Sequence, residues 1–580
     1  MRVKKNIIDC ILYCVLFILP FIHINIGINV SDQGYNLANF EMFPNINETW
    51  GIATLAANLI GKLFTQLPFG HYMLGMNIYC TLLLSLSVLG IFYFLKKEYS
   101  KYAIFGGLII AICLSWASKV ALYQYISYYL MSFAVIILNQ GIVNKKKKYL
   151  FFAGIILGIN LFVRFPNILQ TVLILVVLYA GILYKKQIKE VCVDCACCVG
   201  GYILVALPGI VLIDVVFGKG TYASMIENLF GMTDSAVAYS PLHMIQSLLD
   251  AYIENWRWFR WLLLLIVFAA FAGGFHMKKW IKIAFYTVLS GMFLIILRIF
   301  WYYGIVNVNY NTYDSIYTIS AVFIMLSFFI LVGVIIKPNV DTSKRLYAIA
   351  ALLIMIITPL GSNNVFYTNY NNLYLIAPIV WGSVSYLFAD KKNEIGKKWM
   401  INTVAARVVV YMFIGVVLFQ TFMFHLFFVY GSNGVITESK AEVNNEILKW
   451  MRTSEENAEM LSGLSEYINE NNLVGEQSIV YSNAPLVFYI LEMDCAIGHT
   501  WPALSSYPNN EYISDLDEME DYPIIIYETR YFNNLMEEVP EWDEKAIYIN
   551  ELLIEGDYAE VYRNEHYAVC IPNGYIINEF

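Results

Sequence analysis

Thirteen apolar runs dominate the chain, at residues 6–29, 72–95, 102–118, 121–143, 149–163, 167–184, 191–216, 259–275, 283–303, 316–336, 346–360, 373–389 and 402–429. Most are long enough to cross a hydrocarbon layer of about 30 Å as a helix, and the shorter ones suit tilted or closely packed spans. Within such a layer each backbone polar group must be satisfied inside its own segment, which leaves helices or a closed barrel. Runs of this length, without the strict alternation of barrel strands, predict a polytopic α-helical membrane protein of about 13 transmembrane helices. Only 14% of the residues are charged, against about a quarter in soluble proteins. The first run, behind Met1-Arg2-Val3-Lys4-Lys5, is too long for a secretory leader and has no small-residue cleavage site, so it reads as a retained helix.

Basic residues set the expected orientation. With the N-terminus inside, the inner connections hold Lys96, Lys97 and Lys101, then Lys145 to Lys148, Lys185 and Lys186, Lys278 and Lys279, Lys344 and Arg345, and Lys391 and Lys392. The outer connections hold only Lys62, Lys119, Arg164, Lys219, Arg257 and Arg260. Retention of cationic loops on the cytoplasmic side predicts a multi-pass plasma-membrane protein with a cytoplasmic N-terminus.

The charge balance changes near Tyr430-Gly431. Residues 431–580 carry 29 of the 45 acids and 6 of the 37 basic residues. The chain therefore divides into a membrane body, 1–430, and an acidic extracytoplasmic α/β domain, 431–580. A polar helix is expected over 440–473, buried strands at Ser478–Ser482 and Pro523–Tyr527, a short helix at Pro485–Leu491, and a hairpin about Asn564-Glu565. No basic stripe suggests a nucleic-acid partner, and the tail contains no phosphate loop or nucleophile elbow. Cys192, Cys195, Cys197 and Cys198 read as small polarisable residues in a membrane helix, and pairing of Cys495 with Cys570 is left open.

The chemistry-bearing stretch is Ser31-Asp32-Gln33-Gly34-Tyr35, where the chain leaves the first span for an outer loop over 30–71. An acid at the membrane surface is a candidate for chemistry on a membrane-bound substrate, although Asp also begins helices well. Arg164, in Val163-Arg164-Phe165-Pro166-Asn167, is held at headgroup level by the turn at Pro166 and suits a bidentate grip on phosphate. Lys119 and Arg298 fall towards the same face and would complete a cationic pocket; the alternative is snorkelling to ordinary headgroups. Loops 304–315 and 361–372 are rich in Asn and Tyr, including Asn363 and Asn364, side chains that hydrogen-bond and stack on sugars and also populate membrane interfaces.

In topology over 1–430, and in Asp32-Gln33-Gly34-Tyr35 with Arg164-Phe165-Pro166-Asn167, the chain resembles the GT-C membrane glycosyltransferases, nearest the protein mannosyltransferase and aminoarabinose transferase branch. The resemblance implies transfer of a sugar from a polyprenyl-phosphate donor, with inversion, to a glycan, lipid or protein acceptor of the cell envelope. It implies Asp32 as general base or orienting acid; Tyr35, Lys119, Arg164, Arg298, Asn363 and Asn364 are the expected substrate contacts. Many members have Asp-Glu where this chain has Asp32-Gln33, and the metal-dependent oligosaccharyltransferases carry an acidic pair in the second outer loop, here Ser115–Gln124, which has no acid. A lone base is therefore expected, with no cofactor and no obligatory divalent metal. Glu41 and Glu48 remain as possible second acids in the first outer loop. The rival classes are a transporter or flippase of lipid-linked sugars, which would place ionisable residues deep in spans, an envelope-glycan polymerase or ligase relying on outer Arg and His, and a scaffold with a binding tail.

Overall fold

The protein is described by a computed structural model covering residues 2–574 other than 116–119, 121–122, 236–239, 273–277, 361–363, 389–393, 396–398, 401–402, 432–433, 505–506, 520 and 530–542. All thirteen apolar runs fall on helices. Among the described residues, eight helices are long and apolar enough to cross a membrane: Met73–Leu95, Tyr123–Val143, Phe165–Leu183, Ile188–Val216, Leu242–Ala272, Lys279–Tyr302, Asp314–Ile336 and Val404–Phe427. The other runs form shorter helices, Arg2–Ile18, Lys101–Leu114, Lys147–Val163, Thr342–Ile357 and Ile376–Leu387. Several shorter helices are deeply buried, with Leu108, Ile110, Ile376 and Val380 fully enclosed. A helix surrounded by protein does not need the full apolar length that a lipid-facing one does.

Polar side chains brace the body at the lysine-rich ends of its helices. Asp9 accepts from Lys96 at 3.3 Å and from Lys101 at 2.5 Å, tying the first helix to the connection between Met73–Leu95 and Lys101–Leu114. Lys186 meets Asp194 at 2.6 Å. The opposite ends are braced by the histidines that close the first and last helices. His23 Nε2 lies 3.0 Å from the Leu426 carbonyl, and His425 Nε2 lies 3.2 Å from that of Leu19.

Segment 30–71 folds as three helices, Asp32–Met42, Glu48–Ala53 and Leu55–Thr65. Segment 217–258 contains the helix Thr221–Ser235 and the start of the long helix Pro241–Ala272. Asn228 donates to Thr49 Oγ1 at 2.9 Å, joining these two connections.

The C-terminal part contains a five-stranded mixed sheet in the order Tyr558–Arg563, Tyr567–Pro572, Ile524–Glu528, Gln477–Tyr481, Asp494–Cys495. The first two pairings are antiparallel and the last two parallel. The two central strands are buried along most or all of their length, as their unbroken Ile/Val/Tyr runs require. Cys495 and Cys570 are both free thiols. The expected helix over 440–473 is corrected to Glu455–Glu470, because Ser454 caps it by accepting from the Asn457 amide, while Ala441–Glu442 pairs with Arg452–Thr453 ahead of it.

The sheet part shares a hydrophobic core with the membrane body. Ile28, Leu37, Phe40, Met73 and Met76 pack in one cluster with Leu448, Leu461, Leu486, Phe488 and Val569. Backbone bonds stitch the same junction: Gly27 donates to the Arg452 carbonyl at 2.8 Å, Arg452 to that of Asn25 at 2.9 Å, and Leu486 to that of Val30 at 3.0 Å.

Candidate functional site

Asp32 is the first residue of the helix Asp32–Met42. Its exposed carboxylate favours the positive end of the helix dipole, which is one reason for an acid at this position. The observed partner adds another. The Tyr430 hydroxyl donates to Asp32 Oδ2 at 2.6 Å. Tyr430 follows the last long helix, 398 residues away in sequence. Its hydroxyl is also hydrogen-bonded to Tyr313, whose ring centroid lies 6.0 Å away. Burial first, and the neighbouring Asp32 carboxylate second, hold the Tyr430 hydroxyl far above the usual phenol range, so it stays a donor.

Behind this pair stands an aromatic wall. Tyr313 packs against Tyr367 at 6.2 Å, and Tyr367 against Tyr317 at 5.0 Å and Tyr370 at 5.9 Å. Asp32, the described parts of the 304–315 and 361–372 loops and the start of the C-terminal part thus meet at one place. Asn364 is exposed at the start of this loop, and its carbonyl accepts from the Tyr367 amide at 2.9 Å. Asn363 lies outside the described residues. The buried amides of the same loop serve the fold: Asn372 donates to Thr358 Oγ1 at 2.8 Å, and Asn371 accepts from the Tyr125 hydroxyl at 3.4 Å.

Gln33 turns inward and is 3% exposed. Its Nε2 donates to Asn77 Oδ1 at 3.0 Å, and its backbone N–H donates to Asn29 Oδ1 at 2.9 Å. Asn77 Nδ2 is already committed to the Ile24 carbonyl at 2.9 Å, so the amide cannot turn over to suit a carboxylate. The substitution Gln33→Glu is therefore expected to destabilise the protein by about 1–3 kcal/mol, the cost of an unsatisfied buried polar contact. Thermal unfolding of the detergent-solubilised full chain checks this.

Tyr35 lies one helical turn beyond Asp32, 5.9 Å from the ring of Trp501 and 6.2 Å from that of His499. Burial raises its hydroxyl well above the usual phenol range, against a hydrogen bond with Asn39. His499 stacks on Tyr507 at 4.0 Å, and burial drives its imidazole down to about 3, so it is neutral. Glu41 is half exposed and paired with Lys62 at 3.6 Å, which fits a surface role. The side chain of Glu48 lies outside the described residues.

Arg164 caps the 3-10 segment Phe165–Ile174, and its guanidinium sits over the Tyr123 ring at 5.4 Å. The adjacent Asn167 is locked in a buried amide network, donating to Ser127 Oγ at 2.7 Å and to the Asn160 carbonyl at 2.8 Å. Gln170 accepts from Asn160 at 2.7 Å. These bonds hold the turn that carries Arg164. A small pocket beside it is lined by Gln124, Tyr128, Gln170 and Thr358, and the Tyr128 hydroxyl is buried with no hydrogen-bond partner among the described residues. A guanidinium and an unspent phenolic donor at one pocket suit an anion.

A second pocket, lined by His23, Gln33, Asn77, Ser115, His425 and Tyr430, adjoins the Asp32 side. The two pockets share no lining residue. The Ser115 hydroxyl of the second pocket meets that of Tyr374, whose ring is 5.3 Å from Tyr129. Tyr35 lies within electrostatic reach of Tyr123, on which Arg164 rests. Neither of these pockets is lined by both Asp32 and Arg164. Lys119 lies outside the described residues. Arg298 is exposed on the helix Lys279–Tyr302, which packs on the helices Pro241–Ala272 and Thr403–Phe427, and no described pocket brings it to Arg164 or Asp32. Tyr313 falls in the Asn- and Tyr-rich loop 304–315 that the sequence marks, whereas Tyr430 and Tyr128 carry no mark as site residues. The break in charge at Tyr430-Gly431 marked the place of Tyr430, but nothing marked its role.

No protein-family model matches the chain, and no curated protein matches it in sequence. Solved structures are similar over nearly the whole chain. The ArnT of Cupriavidus metallidurans bound to undecaprenyl phosphate is 10% identical, covers 97% of each chain and has a TM-score of 0.49. An oligosaccharyltransferase of Archaeoglobus fulgidus, in complex with zinc and sulfate, is 10% identical over 95% of this chain and 71% of its own, with a TM-score of 0.47. The oligosaccharyltransferase AglB from the same organism, in complex with an inhibitory peptide and a dolichol-phosphate, is 9% identical over 96% and 73%, also with a TM-score of 0.47.

Proposed function

We propose that the chain is a GT-C-type glycosyltransferase that takes a sugar from a polyprenyl-phosphate donor and passes it to a cell-envelope acceptor on the extracytoplasmic face. The observation that carries this reading is the convergence on Asp32. An exposed carboxylate, held by Tyr430 and backed by the Tyr313–Tyr367 wall, is assembled from four segments remote in sequence. Asp32 would accept the proton of the acceptor hydroxyl as that oxygen attacks the anomeric carbon. The bond to the lipid phosphate breaks as the new glycosidic bond forms, and one direct displacement inverts the anomeric centre. Charge building on the leaving phosphate would be met by Arg164 and the Tyr128 hydroxyl. Lys119, whose position is not described, remains a proposed further cation, and Asn364 a contact at the rim.

Ionisable groups near the ends of the spans have local structural partners. Asp194 is paired with Lys186, and Asp214 accepts from the Tyr222 amide at 3.2 Å. This favours transfer over translocation, for which charges at mid-depth would be expected.

The test is direct. Purified full chain is mixed with a panel of polyprenyl-phosphate sugars and acceptor extracts, and the lipid fraction is analysed. Free polyprenyl phosphate supports the reading, and recovery of every donor intact contradicts it. Within an active pair, Arg164→Ala is expected to raise the donor KM about 10–100-fold, the worth of one hydrogen bond to a charged group, with Arg164→Lys intermediate because it lacks the fork. Donor titrations of the three proteins check this.

A further inference from the structure

We propose that Tyr430 is a positioning residue for Asp32, and that docking of the C-terminal part is what sets it in place. This rests on the reading of Asp32 as the base. The Tyr430 hydroxyl commits its proton to Oδ2 at 2.6 Å. Oδ1 of Asp32 has no hydrogen-bond partner among the described residues and is the oxygen left to take a proton. A carboxylate at the exposed start of a helix otherwise turns about two side-chain torsions. One fixed donor on Oδ2 restricts that rotation and selects which oxygen faces the acceptor.

The brace on Tyr430 comes from both sides of the junction. Gly431 has φ +85°, and a Cβ there would sit 2.5 Å from both Cα and N of Asn29. The Gly431 carbonyl accepts from Asn457 Nδ2 at 3.1 Å, a side chain of the helix Glu455–Glu470. Asn29 in turn accepts from the Gln33 amide, inside the first turn of the Asp32 helix. The residue pressed against Gly431 is thus the residue that orients the start of the catalytic helix. Acid and tyrosine are located by one shared contact, and the C-terminal part supplies its far side.

The deciding variant is Tyr430→Phe, which keeps the ring beside Tyr313 and removes only the hydroxyl. In the full chain with a donor that the wild type turns over, kcat is expected to fall about tenfold with the donor KM within about twofold, since binding of the lipid phosphate is untouched. In an Asp32→Asn background the same change is expected to have no further effect, because Tyr430 acts through the carboxylate. Wild-type kcat in Tyr430→Phe, with Asp32→Asn inactive, overturns the positioning role and leaves the base reading intact. Full turnover by Asp32→Asn overturns both. If no donor is turned over, the melting temperatures of Asp32→Ala, which removes the acceptor, of Tyr430→Phe and of the double variant decide the matter. Losses that fail to add support the latch, and additive losses overturn it.

Discussion

Asp32→Asn is expected to lower turnover about 10²–10⁴-fold, the usual contribution of a positioned general base. The substitution is nearly isosteric and keeps an oxygen that can accept from Tyr430, so the local fold should persist. What it removes is the capacity to take a proton. Donor KM should therefore change little, since Arg164 and its pocket are untouched. Steady-state kinetics of variant and wild type, with circular dichroism to establish folding, give the comparison. Turnover within a factor of a few of wild type would show that Asp32 only begins a helix.

A large structural effect is expected at Gly34. A Cβ built there would lie 2.3 Å from the backbone nitrogen of Leu486, 2.5 Å from its Cβ and 2.6 Å from its Cα. Two of these are backbone atoms and the third is the Cβ next to them, all fixed by the Leu486 bond to the Val30 carbonyl and by a fully buried Leu486 side chain, so no flexible tip can move aside. Gly34→Ala must push the C-terminal part away from the Asp32 helix. Overpacking of this kind costs about 1–3 kcal/mol or more. The expected result is faster proteolytic release of the C-terminal part in limited digestion, together with a lower melting temperature. Activity should fall with it, because displacement of this junction also moves Tyr430. An unchanged digestion pattern would mean that the contact is not a constraint on docking.

The membrane body was legible because its signal is local. A run such as 316–336 is apolar along its whole length, and the helix Asp314–Ile336 follows from that alone. The strands Gln477–Tyr481 and Ile524–Glu528 were readable for the same reason, within a residue of their observed limits. The stretch 440–473 shows where local propensity stops deciding: its polar, helix-forming residues suit one continuous helix, yet the cap at Ser454 and the pairing of Ala441 with Thr453 divide it. Asp32 stood out by its position at a span boundary, and Arg164 by the turn at Pro166. Their surroundings did not stand out. Tyr430 is one tyrosine among 44 and reaches Asp32 only because the chain closes on itself across nearly four hundred residues. Gln33 read as a missing second acid, whereas the structure uses it as a strut between Asn29 and Asn77. A single sequence carries no record of such pairings.

The fate of the lipid-linked sugar separates transfer from translocation. Wild-type protein reconstituted in liposomes with a polyprenyl-phosphate donor labelled in its sugar, and supplied with acceptor, should give labelled acceptor and an equal quantity of free polyprenyl phosphate. Asp32→Asn should give neither above background. Transfer of intact donor from one leaflet to the other, with no free polyprenyl phosphate formed, would contradict the account and establish a transporter instead.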